Sequence, residues 1–128
     1  MLVADTCVWV EWITGTALGK RFAPLFADTP NLLVPTLVQH ELYKWGLREL
    51  SEEQAEAVVA GTRLARVIPL TESIALHAAA LARTHRLATA DAIVYATADL
   101  ASARLVTIDR HFMGLAGVDY TPKSRAAT

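Results

Sequence analysis

The sequence predicts an α/β fold: a three-layer α/β/α sandwich built on a small, mainly parallel sheet. Two observations lead there. Short apolar runs of strand length recur at 2–4, 31–34, 67–70, 105–108 and 118–121, and the stretches between most of them carry apolar residues at helical spacing. Strands separated by helices pair in parallel, and their crossovers cover both faces of the sheet. With no internal repeat and no linker, residues 1–122 form a single domain and 123–128 a polar C-terminal tail.

The first strand, Leu2-Val3-Ala4, closes on Asp5, and Val8, Trp9, Trp12 and Ile13 form the buried face of a short helix. Gly15 and Gly19 mark a break. Leu18, Phe22, Leu25 and Phe26 then give a second helix ending before Asp28. The second strand runs over 31–34, and Pro35 suits the first position of the next helix. Leu37, Val38, Leu42 and Trp45 form that helix's apolar face, Glu41 lies beside it, and Gly46 ends or kinks it. Ser51 with Gln54 reads as a capping box for a helix carrying Ala55, Val58, Val59 and Leu64. In the third strand Pro69 implies an early stop or an edge. Thr71 or Ser73 caps a helix through Ile74, Leu76, Leu81 and Ala82 to about His85. Thr89 sits where a cap belongs, which puts Asp91 in the first turn of the next helix, where the helix dipole favours an ionised carboxylate. Leu105, Val106 and Ile108 form a strand stopping on Asp109, and a last short strand follows at 118–121.

Bulk properties narrow the function. A domain of 128 residues can bury roughly two-thirds of its unfolded surface, so no disulfide or structural metal is needed for folding. Cys7 is the single cysteine, which excludes an internal disulfide and a cysteine-rich zinc site. The net charge of −1 offers no basic surplus for nonspecific nucleic-acid binding, so any such contact depends on local groups or a metal. The start Met1-Leu2-Val3-Ala4-Asp5 does not read as a signal peptide, and no apolar stretch reaches membrane-spanning length. A soluble cytoplasmic protein without membrane association is the expectation.

The chemistry-bearing feature is a set of acids. Asp5 and Asp109 end strands and Asp91 opens a helix, so all three reach one rim of the sheet, the edge where open α/β sheets bind ligands. Glu41 joins them if its helix crosses that rim. Taken singly, each acid is accounted for as a turn, cap or solvated helix residue. Together they repel: two carboxylates about 4 Å apart cost roughly 4 kcal/mol at an effective dielectric near 20. Protonation or a divalent cation relieves this. Oxygen ligands with no cysteine or histidine partner select Mg²⁺ or Mn²⁺ over zinc. Such an ion activates water and stabilises charge developing on a phosphodiester.

Asp5-Thr6-Cys7-Val8 after an opening strand resembles the start of a PIN domain, the ribonuclease fold of VapC-type toxins. So do Pro35 leading into a helix with Glu41, and Asp91-Ala92-Ile93-Val94-Tyr95-Ala96-Thr97-Ala98 followed by Leu105-Val106-Thr107-Ile108-Asp109. The likeness spans nearly the whole chain. It implies an acidic quartet of Asp5, Glu41, Asp91 and Asp109 that binds Mg²⁺ or Mn²⁺ and cleaves RNA, with Asp5, Asp91 and Asp109 as direct ligands. Glu41 would bind a second ion or orient water. It further implies a homodimer and, in the toxin branch of type II toxin–antitoxin pairs, a small antitoxin that holds the enzyme inactive. Thr6 and Thr107 stand where the family has hydroxyls that orient a carboxylate or a water, although Thr6 also suits a simple turn. Cys7 replaces a commoner small polar residue and reads as a small apolar side chain rather than a nucleophile, because no basic partner adjoins it.

Lys44, Arg86, Arg110 and His111 are candidate contacts for RNA phosphates, Arg110-His111 foremost because they follow Asp109. Each also suits an ordinary solvated surface. His40-Glu41 lacks the second histidine of a zinc-protease motif. Trp9, Trp12, Phe22, Phe26 and Trp45 read as core or as an apolar groove for a partner helix. The alternative to a nuclease is a PIN-like domain that binds RNA or a protein without cleavage. A phospho-receiver would carry paired acids after its first strand, and a haloacid-dehalogenase-type hydrolase a second acid at position 7. Thr6 and Cys7 count against both.

Overall fold

Val3 and Ala4 are wholly buried, and the strand that carries them is the middle of the sheet. In the computed structural model, which describes residues 1–123, β1 (Leu2–Ala4) lies between β2 (Leu32–Pro35) and β4 (Arg104–Thr107). β3 (Arg66–Ile68) flanks β2, and β5 (Val118–Tyr120) flanks β4. The order is β3-β2-β1-β4-β5, with every pair parallel. Burial on both faces explains why the central strands read as unbroken apolar runs; all four residues of β2 are buried. Residues 124–128, most of the expected polar tail, lie outside the described residues.

Helices α1 (Thr6–Thr14), α2 (Ala17–Arg21) and α3 (Ala23–Ala27) connect β1 to β2. Helices α4 (Thr36–Glu49) and α5 (Glu52–Thr62) lead to β3, and α6 (Glu72–His85) and α7 (Thr89–Leu100) to β4. Strand order runs one way from β1 to β3 and then jumps back across the sheet to β4. Right-handed crossovers in both directions require helices on both faces, which is the α/β/α sandwich. The jump also makes the gap between β1 and β4 a topological switch point, where such sheets open a crevice at their carboxyl ends. Among the described residues, no helix is long and apolar enough to cross a membrane.

Local chemistry sets the helix starts. The Asp5 carboxylate accepts from the Thr6 N–H, Thr16 from the Gly19 N–H and Thr71 from the Ile74 N–H, and Ser51 and Gln54 form the full reciprocal box. Several expectations shift. Ala88, not Thr89, occupies the cap position of α7, which leaves that start without a side-chain cap and Asp91 still in its first turn. Pro35 is the last residue of β2 and precedes the first helical residue. The single helix foreseen before Asp28 is broken at Phe22, since Pro24 fits the first turn of a new helix better than the interior of an old one. Gly15 does end α1, with φ +70°.

Gly19 and Gly46 are not breaks but close approaches. A Cβ on Gly19 would collide with the Glu11 carbonyl, and one on Gly46 would lie 2.8 Å from the Ala55 Cβ. α4 therefore continues past Gly46, pressed against α5. Leu64 and Leu76, expected on buried faces, are exposed. Leu64 lies beyond the end of α5. The third strand stops at Ile68, on the sheet edge, as Pro69 implied.

Candidate active site

The switch point gathers the acids. β1 ends at Ala4, and the Asp5 N–H continues the ladder to the Val106 carbonyl at 2.9 Å, which tucks the Asp5 side chain under the end of β4. Asp5 is 7% exposed, the one buried carboxylate among the described residues. Its Oδ1 accepts from the Thr6 N–H (2.8 Å) and its Oδ2 from the Thr107 hydroxyl (2.8 Å) and the Cys7 thiol (3.5 Å). Burial nevertheless outweighs these donors. With Asp91 nearby adding repulsion, the Asp5 carboxyl is pushed up from 3.8 to about 6.

Thr107, itself fully buried, links two acids. Its hydroxyl donates to Asp5 and accepts from the Asp109 N–H at 3.0 Å. β4 ends at Thr107, and Asp109, two residues on, caps a 3-10 turn over Arg110–Phe112 by accepting from the His111 N–H at 2.9 Å. Thr6, first residue of α1, donates its hydroxyl to Glu41 Oε1 at 2.7 Å. Glu41 thus joins the rim from α4, held half-buried beside the wholly buried Leu42. The two hydroxyls singled out in the sequence each fix a carboxylate.

Asp91 stands at the centre of the charge. Burial first, then Asp109 and more weakly Glu41, raise its carboxyl above the usual range, with His111 opposing. Oxygens of Asp91 and Asp109 and a ring nitrogen of His111 lie within 4.8 Å of one another. At that separation two carboxylates repel by roughly 3 to 4 kcal/mol at an effective dielectric near 20. Among the described residues, no lysine or arginine lies within ion-pair distance of any of the four acids, and His111 is the one basic side chain that does. An incompletely compensated set of oxygens with one imidazole suits a divalent cation, so the residues present fit such an ion.

Three sequence readings change here. A histidine does stand at the acids, contrary to the all-oxygen set expected. His111 Nδ1 is 3.0 Å from Asp109 Oδ1 and 3.8 Å from Asp91 Oδ2, a relation hidden in the sequence because a 3-10 turn has neither strand nor helix period. Cys7 is more than apolar filling, since its thiol touches Asp5 Oδ2 and the Thr107 oxygen. Burial and the Asp5 charge push that thiol up to about 12, so it is no nucleophile. Trp45 does not belong with the other tryptophans. With Lys44, Arg48, His40 and Thr6 it lines a groove of ≈ 450 Å³ that begins at Glu41 and Ala90. His40 and Arg48 were not foreseen there; basic residues one helical turn either side of Lys44 were the available signal.

Of the remaining candidate cations, Arg110 is exposed beside Asp109, and Arg86 is exposed at the end of α6 with φ +55°. Trp9, Trp12 and Phe26 stack edge-on and face-on with centroids 4.3–6.0 Å apart. With Val58 and Leu64 they line a separate apolar groove of ≈ 550 Å³.

A family model, the PIN domain, matches residues 2–118. The chain belongs to the PIN domain family. No curated protein matches it, but solved structures resemble it along nearly its full length. A toxin–antitoxin complex from Klebsiella pneumoniae includes a chain 23% identical, with TM-score 0.79 over 93% of this chain and 96% of that one. VapC20 from Mycobacterium tuberculosis, described as a sarcin-ricin loop cleaving toxin, is 18% identical, with TM-score 0.75 over 91% and 95%. VapBC-1 from Haemophilus influenzae is 20% identical, with TM-score 0.73 over 94% and 96%. At these identities the likeness is one of fold. It agrees with the parallel α/β/α architecture of this PIN domain.

Proposed function

We propose that this PIN domain is a divalent-metal-dependent endoribonuclease, the toxin of a type II toxin–antitoxin pair, working with Mg²⁺ or Mn²⁺. One observation carries the reading: four acids from β1, α4, α7 and the end of β4 meet at the sheet's switch point, two with carboxyls raised by burial and mutual repulsion. A structural role does not call for such a set, because repulsion destabilises it without an ion.

A bound divalent ion supplies positive charge to a scissile phosphate and acidifies water. Asp5, Asp91 and Asp109 would hold the ion. Thr107 and the Thr6 N–H fix the Asp5 carboxylate, so its lone pairs do not have to reorganise during reaction. Glu41, fixed by Thr6, would orient the attacking water. Lys44 and Arg48 in the adjoining groove, with Arg110 across the rim, draw in the phosphates of a single strand, and Trp45 offers a face for a base. Arg86, exposed at the end of α6, is a further candidate contact. The near-neutral chain thus binds RNA through local charge.

The apolar groove at Trp9, Trp12 and Phe26 takes a helix of the antitoxin, a mode in which an amphipathic helix lays its apolar face into a hydrophobic channel. A homodimer and a cytoplasmic location belong to the same reading.

RNA incubated with the protein in Mn²⁺, with and without EDTA, tests it against Asp5→Asn. The expected result is cleavage by the wild type alone, abolished by EDTA. Equal cleavage by both proteins removes the acids from the mechanism, and binding without cleavage by the wild type favours the non-catalytic alternative.

A further inference from the structure

His111 is held in place by its own turn. Its backbone N–H donates to Asp109 Oδ1 at 2.9 Å, and the next residue, Phe112, is wholly buried, so the backbone that carries the imidazole is anchored. From there Nδ1 reaches 3.0 Å from Asp109 Oδ1 and 3.8 Å from Asp91 Oδ2. In an octahedral shell with ligands at about 2.1 Å, adjacent donors are about 3 Å apart and opposite donors about 4.2 Å. The contact to Asp109 matches adjacent donors, and the contact to Asp91 lies between the two values, so a small closing movement completes the geometry. The ring is also largely exposed, so small rotations bring its lone pair to bear without disturbing the core.

We propose that His111 is an ion-selecting ligand: its Nδ1 joins Asp91 and Asp109 around one divalent cation and biases the site towards Mn²⁺ and Co²⁺ over Mg²⁺. This rests on the metal-dependent reading above and adds the identity of the ion. The physical basis is donor softness. Mg²⁺ is hard, dehydrates reluctantly and gains little from an imidazole. Affinity for nitrogen-containing sites rises from Mn²⁺ to Co²⁺. A site of carboxylates alone would discriminate weakly between Mg²⁺ and Mn²⁺, whereas one nitrogen separates them. His111 is then a metal-selecting residue rather than a phosphate contact.

Calorimetric titration of metal-free protein with MgCl₂, MnCl₂ and CoCl₂ tests this, alongside pulsed EPR of the Mn²⁺ form. His111→Ala is expected to weaken Mn²⁺ and Co²⁺ about tenfold or more, and Mg²⁺ less than about threefold. His111→Asp restores a hard donor and should keep Mg²⁺ affinity while erasing most of the preference for Mn²⁺ and Co²⁺. Imidazole ¹⁴N modulation should be present in the wild type and in His40→Ala and absent in His111→Ala. Unchanged Mn²⁺ affinity in His111→Ala, or ¹⁴N modulation missing from the wild type despite bound Mn²⁺, overturns the role of His111 and leaves the metal-dependent reading standing. A wild type that binds none of the three ions overturns both.

Discussion

Asp5→Asn, measured without metal, should make the protein more stable while destroying its proposed chemistry. The substitution removes a charge and keeps the shape. Burial holds the folded carboxyl at about 6 against an ordinary 3.8. At about 1.4 kcal/mol per pH unit, ionising Asp5 costs the folded state roughly 3 kcal/mol more than it costs the unfolded chain. Between those two pH values the folded state binds the extra proton, so this stabilisation is whole below about pH 3.8 and lost as the pH rises through about 6. Asparagine never ionises and escapes the loss. It also retains an acceptor for the Thr6 N–H, but the Thr107 hydroxyl must turn to receive an amide, which forfeits about 1 kcal/mol. The variant should therefore gain roughly 2 kcal/mol at pH 8 and nothing, or a small loss, near pH 4. Urea denaturation followed by circular dichroism, in EDTA at several pH values, measures both ends. Parallel stability profiles for the two proteins would refute the claim that a buried, ionisable Asp5 strains the metal-free fold.

Three further outcomes follow from the same contacts. Mn²⁺ should raise the wild-type melting temperature, whereas Asp91→Asn should melt higher than wild type in EDTA and respond less to the ion; a calorimetric scan reads both. Thr107→Val keeps the volume but strips Asp5 and the Asp109 N–H of a partner, and should cost about 1 to 3 kcal/mol in urea denaturation. Gly19→Ala should cost at least about 2 kcal/mol, because its methyl meets the Glu11 carbonyl, while Gly61→Ala, with open space around it, should be neutral or stabilising.

The rim was legible because acids that close apolar runs have few places to go. Asp5 and Asp109 follow strands that cannot extend further, and a parallel sheet delivers both to one edge. Glu41 was legible chiefly through the PIN resemblance, since its place beside the buried Leu42 left open whether its helix crossed the rim. What escaped was contact without periodicity. Gly19 looks like a helix breaker until α1 is seen lying against it. Ala88 displaces Thr89 as the cap because the buried Leu87 just before it helps fix where the chain turns into α7. Leu64 and Leu76 show the reverse error, in which an apolar side chain at helical spacing ends up in water. His111 turns towards the acids through a backbone bond its side chain does not reveal.

The hydrogen bond from Thr107 to Asp5 spans 102 residues of sequence. A ribosome emitting this chain releases the first acid early, but the strand that completes the pocket emerges only after four-fifths of the described residues have been made. Until β4 slides in beside β1, Asp5 has neither its hydroxyl partner nor its cover, and Asp109 has no site to join. Whatever the finished rim does, the nascent polypeptide cannot do it, and a fragment cut short before Arg104 is inert by construction.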